Sequence, residues 1–290
     1  MSLVFLTLAG SEREARAAAL LAAGLRDFGG RLADAPVRCL VPEGRRIGPA
    51  RRLLERHRVE VAGFPFDPQV AEIPFGVKAA AAAHAEEAAD GGRLVWLDAD
   101  TLIVGEPFPF DVPEWIALGY RPVHHRLIGI PWDEPPDEFW TAVEGLCGAG
   151  RTFPVTTHTG ERIRAYFNAG SFVVDPARRL LRAWHDILVT AAGELAPLLE
   201  PDPRRRVFLH QVVFTGVALA RIDPAEMADL GTAVNYPVHL HDEVPARLRP
   251  PSIESLVTAR YEDVLDDPVR RARVPWGDHL AAWIERNAGR

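Results

Sequence analysis

The chain predicts an α/β fold: a central, mostly parallel sheet flanked by helices, with an irregular C-terminal half. Three observations carry this. Short apolar runs alternate with alanine-rich helical stretches through the first hundred residues, the β-α-β order that builds a doubly wound sheet. At 290 residues, 48% apolar and 25% charged, the chain can bury a large core as an ordinary globular protein. No internal repeat or low-complexity linker divides it, so residues 1–290 read as one domain whose character changes near residue 105.

The elements follow in order. "LVFLTLAG" reads as a first strand ending in a glycine turn. The next stretch, "SEREARAAALLAAGLRDFG", reads as a helix capped by Ser11, with Glu12 and Glu14 in its first turn and Gly29 at its end. "VRCLVPEG" is a second strand, "ARRLLERH" a short helix and "VEVAGFPF" a third strand. "GVKAAAAAHAEEAADGG" is a strong helix stopped by two glycines, and "RLVWLDAD" is the fourth strand. Proline and tryptophan then crowd "PFPFDVPEW" and "GIPWDEPPDEFW", which suits loops and short edge elements. "YFNAGSFVVDP" reads as a strand leading into the helix "ARRLLRAWHDILVTAAGELA". Two further helices are expected at "VFLHQVVFTGVALAR" and "DHLAAWIERNAG", with a short extended run, "AVNYPVHLH", between them.

The formal charge of −7 argues against a nucleic-acid partner or an anionic membrane partner. Short arginine clusters, such as Arg204 to Arg206, read as solvated surface or phosphate-side charge. Cys39 and Cys147 lack metal-ligand spacing and read as thiols of a reducing compartment. The apolar N-terminus has no basic n-region and reads as a strand, not a leader. No apolar run reaches the length of a membrane span, so a cytoplasmic location is expected. Lys78 is the only lysine among 33 basic residues. A lysine kept against such an arginine bias suggests a task that a guanidinium performs less well.

The run "RLVWLDADTLIVGEP" places Asp98 and Asp100 at the end of a buried strand. One residue apart on an extended chain, both carboxylates point the same way. Unpaired, they would raise each other's pKa. A divalent cation with oxygen ligands, Mn2+ or Mg2+, would remove that cost and could hold a substrate diphosphate. A bare D-x-D is also a common polar turn, and the strand before it is what favours a function.

The set "IPFGVKAAAAAHAEEA", "RLVWLDADTLIVGEP", "YFNAGSFVVDP" and "FLHQVVF", in this order and spacing, resembles the GT-A-fold nucleotide-sugar glycosyltransferases. It is most similar to the glycogenin and bacterial lipopolysaccharide galactosyltransferase family. The resemblance spans Leu3 to His241 and is firmest from Phe75 to Gln211. It implies a GT-A (Rossmann-like) fold, with a nucleotide-binding half over 1–105 and an acceptor-side half over 106–290. It also implies transfer of a hexose from a nucleoside-diphosphate sugar, a UDP-sugar for choice, to an acceptor hydroxyl with retained configuration. Thr7, Ala9 and Gly10 would then meet the base and ribose, and Lys78 and Ala99 the donor. Asp98 and Asp100 would bind Mn2+ or Mg2+. Asn168 and Ala169 would line the sugar pocket, and Gln211 would sit below the anomeric carbon. Gln211, Asn168 and Asp100 form the implied catalytic set.

The chain departs from that family at three places. His210 stands where an Asp usually precedes the Gln. Arg260-Tyr261 stands where a metal-binding His precedes an aromatic residue. "RVPW" lacks the lysine of a phosphate-binding Lys-Pro-Trp. Arginine binds no metal. Either another histidine serves as third ligand, with His241 favoured over His239, or an arginine takes over part of the metal's role on the phosphates. His124 and His125 fall where acceptor-side loops are expected. Two rival readings remain: a non-catalytic nucleotide-sugar-binding relative, and a haloacid-dehalogenase-like phosphatase with Asp98 as nucleophile and Asp100 as acid-base. The phosphatase normally carries its motif on the first strand and wants a downstream lysine, which is missing here.

Overall fold

The computed structural model describes residues 2–288. The expected alternation is present: β1 (Leu3–Leu8), α1 (Glu12–Phe28), β2 (Val37–Pro42), α2 (Ala50–Arg56), β3 (Val59–Phe64), α3 (Gly76–Glu87) and β4 (Arg93–Leu97). A short β5 (Thr101–Ile103) follows, then β6 (Leu118–Pro122), α4 (Glu138–Cys147), the small ribbon β7 (Pro154–Thr156) and β8 (Arg162–Arg164), and β9 (Phe167–Val174). After α5 (Leu180–Glu194), α6 (Ala196–Leu199) and α7 (Pro203–Arg221) come β10 (Met227–Asp229), β11 (Tyr236–Pro237), β12 (Thr258–Arg260), α8 (Pro268–Arg273) and α9 (Asp278–Asn287).

The central sheet runs β10-β6-β9-β4-β1-β2-β3. β3, β2, β1 and β4 are mutually parallel, as are β6 and β10, while β9 runs antiparallel to both β4 and β6. The reversal of β9 brings two distant motifs together. Leu97 pairs with Ser171, and the Asp98 N–H donates to the Gly170 carbonyl at 2.9 Å. The start of β9, Phe167 to Gly170, therefore lies beside the carboxyl end of β4, where doubly wound sheets hold ligands.

Every residue of β4 and β9 is buried, because helices cover both faces of the sheet. On one face α3, α5 and α7 pack over Trp96, Phe172, Trp184 and Phe214. On the other, α1 and α2 cover Phe5, Cys39, Val95 and Leu97. A second, three-stranded sheet, β11-β12-β5, carries a satellite core with Tyr236, Trp276 and Trp283. α1 is capped by Ser11, whose hydroxyl accepts from the Glu14 N–H, as expected.

One expectation fails locally. "AVNYPVHLH" is extended only at β11; Val238 to Leu240 turn into a short 3-10 helix and His241 has helical backbone angles. The proline preceding that turn cannot donate to a ladder. His239 and His241 therefore do not share the face of a strand.

Gly24 lies inside α1, where alanine would ordinarily favour the helix by about 1 kcal/mol. A Cβ there would stand 2.5 Å from the Ile103 carbonyl oxygen of β5. Backbone cannot yield as a flexible side chain can, so overpacking of about 1–3 kcal/mol decides the sign. Gly24→Ala is expected to lower the urea midpoint of unfolding; a raised midpoint would show that α1 and β5 can separate without cost.

Candidate active site

Asp98 is the hub of the site. Its backbone is fixed by β9, and its side chain points the same way as that of Trp96, two residues earlier. The Trp96 indole N–H donates to Asp98 Oδ1 at 3.1 Å, which satisfies a ring that is fully buried. Lys78, in the first turn of α3, places its Nζ 2.7 Å from Oδ1 and 2.8 Å from Oδ2. Arg260 Nη1 donates to Oδ2 at 2.8 Å. Arg260 Nε stands 3.4 Å from Asp100 Oδ2 and 3.6 Å from Glu262 Oε1.

Three elements converge here for local reasons. Gly76 opens α3 beneath Phe75, which holds a left-handed φ of 60°, a conformation that costs a non-glycine residue about 1 kcal/mol or more. Arg260 is delivered by β12, whose antiparallel register pairs it with Thr101, the residue after Asp100. Gly170 provides the space. A Cβ on it would lie 2.6 Å from Asp98 Oδ2, 2.8 Å from Arg260 Nη1 and 2.9 Å from Asn168 Oδ1.

Burial would raise the Asp98 pKa, but Lys78 and Arg260 outweigh it and hold the carboxyl down at about 2. Burial raises that of Asp100; Arg260 opposes this and Asp98 adds to it. The Arg260 guanidinium, despite its burial, is held charged by Asp100 and Asp98.

Two cavities meet at this cluster. The larger, about 980 Å3, is lined by Leu8, Ser11, Lys78, Asp98, Ala99, Asp100 and Arg260. The smaller, about 240 Å3, is lined by Asn168, Gln211, His124, His125 and His239. Phe75, Lys78, Arg260 and Glu262 line both. Asn168 accepts from the Gly170 N–H at 2.7 Å through its side-chain oxygen, and Gln211 accepts from the Ala169 N–H at 3.4 Å. Both amide oxygens thus face backbone, which turns the NH2 ends towards the cavity. Thr215 ties α7 to β9: it accepts from the Phe167 N–H at 2.8 Å and donates to the Gln211 carbonyl at 2.8 Å.

Lys78, Asp98, Ala99, Asp100, Asn168 and Gln211 are thus brought together around two adjoining cavities. Thr7 and Ala9 are fully buried instead, and the Gly10 N–H donates to Glu14 at 2.6 Å; their neighbours Leu8 and Ser11 face the larger cavity. Ala169 points into the core with the alternation of β9, and Gly170 takes the cavity side. His241 is turned away, with its Nδ1 2.9 Å from the Tyr236 hydroxyl. His239 comes closer, 3.5 Å from Glu262. His210 packs flat on Phe75, ring centroids 4.2 Å apart, and burial next to Lys78 keeps it neutral. Phe75 and Gly170 carry no signal of their own in the sequence, although both lie inside the quoted motifs.

The donor set fits the expected Mn2+ or Mg2+ poorly. Among the described residues no group of three His, Cys, Asp or Glu side chains is placed to hold a metal ion. The position shared by the two carboxylates is taken by the Arg260 guanidinium.

Because the folded Asp98 pKa, about 2, lies below the usual carboxylate value of about 3.9, its ionised form stabilises the fold above pH 4. That contribution, about 2 kcal/mol, is lost as pH falls from about 4 to 2. Asp98→Asn removes the linkage, takes the carboxylate from buried Lys78 and leaves Arg260 only Asp100 and Glu262, at a cost of about 3–5 kcal/mol at neutral pH. The stability gap between wild type and variant in urea titrations is expected to narrow by about 2 kcal/mol as pH falls through this window. A gap independent of pH would mean that Asp98 is not ionised in the fold.

Comparison with known proteins agrees with the fold. A family model described as the Rhodobacterales glycosyltransferase domain matches residues 5–221. A search of curated protein sequences returns no match. Among solved structures, the galactosyltransferase LgtC in complex with donor and acceptor sugar analogues superposes with a TM-score of 0.53 at 16% identity, covering 100% of this chain and 95% of that one. An active-site mutant of LgtC gives 0.51 at 17% identity, with 100% and 94% covered. Mouse xyloside xylosyltransferase 1 gives 0.48 at 12% identity, covering 89% and 96%. The LgtC likenesses establish the GT-A fold, and the family match covers most of the chain: the protein is a glycosyltransferase belonging to the Rhodobacterales glycosyltransferase domain family.

Proposed function

We propose that this glycosyltransferase moves a hexose from a nucleoside-diphosphate sugar, a UDP-sugar for choice, to an acceptor hydroxyl, and that residues 1–290 act as one unit. The observation that carries the reading is the pair of adjoining cavities at the carboxyl end of β4. The larger has the volume of a nucleotide site and is lined by Lys78. The smaller, lined by the Asn168 and Gln211 amides, has room for a single sugar ring. The donor and acceptor analogues bound to LgtC are consistent with both substrates meeting at such a junction.

In this reading Asn168 orients the sugar by hydrogen bonds to its hydroxyls. Gln211 flanks the anomeric carbon. When the bond from that carbon to the diphosphate oxygen breaks, its electron pair leaves with the nucleoside diphosphate, and Lys78 faces the negative charge that grows there. The acceptor oxygen forms the new bond. If configuration is retained by attack from the leaving-group side, a phosphate oxygen of the departing diphosphate is the nearest base for the acceptor proton.

The phosphatase reading is disfavoured by the same geometry. A nucleophilic aspartate needs an unengaged oxygen, and both oxygens of Asp98 already accept hydrogen bonds, from Trp96 and Lys78 and from Lys78 and Arg260. Cys39 and Cys147 are free thiols, which supports a reducing compartment such as the cytoplasm. No helix among the described residues is long and apolar enough to cross a membrane.

Two outcomes test this. A thermal-shift screen of nucleoside diphosphates and their sugars is expected to single out one donor, with about 2.7 kcal/mol of added stability at 100 times its Kd. With that donor, Asn168→Ala and Gln211→Ala are each expected to lower kcat/KM by about ten- to a hundredfold, the effect of one lost hydrogen bond to a charged or developing centre, while each variant still folds with a melting temperature lowered by a few degrees, because a buried β9 N–H loses its acceptor. Full activity in both variants would move the sugar site elsewhere.

A further inference from the structure

The expected metal and the observed donor set disagree, and the disagreement has a physical content. We infer that the donor diphosphate is bound and neutralised without a divalent cation, by Arg260 together with Lys78. The inference rests on the nucleotide-sugar reading of the larger cavity.

The position is the first argument. The Arg260 guanidinium lies between Asp98 Oδ2, at 2.8 Å, and Asp100 Oδ2, at 3.4 Å, where a cation shared by the two carboxylates would stand. Mg2+ or Mn2+ at that point would have to expel a side chain held in a largely buried ion-pair network. Breaking such a pair costs several kcal/mol. The metal would also have to complete its shell with oxygen ligands, yet Asp98 has already spent both oxygens on N–H donors.

The donors left over are the second argument. Arg260 donates to Asp98 through Nη1 and turns Nε towards Asp100 and Glu262, at 3.4 and 3.6 Å, which leaves other N–H groups of its five-donor guanidinium for a ligand. Its planar fork matches two phosphate oxygens at once. Lys78 has three protons and uses two directions on Asp98. Both side chains line the larger cavity. Asp98 and Asp100 then act as anchors that hold two cations against it, and not as ligands of an ion.

The third argument is that the arrangement has been given room. A methyl group at Gly170 would collide with both Asp98 and Arg260, so the approach of the guanidinium to the carboxylate depends on that glycine. Glu262 stands 3.6 Å from Arg260 Nε and is itself 3.5 Å from His239.

The test is calorimetric binding of UDP, GDP, ADP and CDP to the wild-type protein, in EDTA and in Mn2+. At least one nucleotide is expected to bind, with a Kd in EDTA within about twofold of that in Mn2+, a difference below about 0.5 kcal/mol. Binding that appears only with Mn2+ would overturn the inference and leave the nucleotide-sugar reading standing. Binding of none of them in either condition would overturn the nucleotide-sugar reading, and the inference with it. Arg260→His, which removes the fork, is expected to weaken binding in EDTA by about ten- to a hundredfold, the loss of one charge-assisted hydrogen bond or more. Unchanged binding in that variant would also overturn it. If the variant does not fold, the wild-type comparison decides alone.

Discussion

The carboxylate of Asp98 is the constraint on which the site depends. It is buried, it is ionised, and it accepts hydrogen bonds from an indole, an ammonium and a guanidinium that arrive from different elements. A charge in that position is tolerable only when fully paired. The pairing therefore specifies where α3 must begin, which residue of β12 must face inward and why β9 must offer a glycine beside it. The helices and strands would exist without Asp98, but their ends would have no common point to register against.

The identity of the lysine is part of the same constraint. Arg260 already contributes a flat, broad cation on one side of the carboxylate. A compact ammonium on a thin stem fits the other side, under the Phe75 ring at 5.0 Å, and can touch both carboxylate oxygens. In a chain whose other Lys/Arg positions are all arginine, the lysine stands where a compact head group reaches both oxygens of one carboxylate. Two of the three departures from the resembled pattern also fit together. Replacing an acidic residue by the neutral His210, and a neutral histidine by Arg260, makes the site more positive by two charges, the charge of the ion that the donor set no longer suits.

Local sequence carried the parts of the structure that local physics determines. The first seven elements alternate as their apolar runs and glycine stops imply. The D-x-D and F-N-A-G runs meet because β4 and β9 are neighbours. The resemblance marked Arg260 as standing where a metal-binding histidine is expected, but its pairing with Asp98 from 162 residues away is not visible in local sequence. Arg260 sits in a three-residue strand with no periodicity to mark it, and it gains its role from the register between β12 and β5. The same limit explains His241. Two histidines one residue apart share a face only if the backbone stays extended, and the turn after Pro237 is set by packing in the second sheet. Ala169 and Gly170 were within reach: alternation along β9 puts Asn168 and Gly170, not Ala169, on one side.

The distance along the chain between Asp98 and Arg260 has a consequence for how the enzyme comes into being. The side chains at the cavity junction come from residues 78, 98, 168, 211 and 260, in that order of synthesis. A nascent chain can pair β1, β2, β3 and β4 early, since these contacts are close in sequence. It then carries Asp98 and Lys78 as an isolated ion pair, with the second cation still unmade. Only when β12 docks against β5 does the guanidinium reach the carboxylates. The proposed donor site is therefore completed late, when β12 docks, and a chain made only through β4 holds part of the sheet without it.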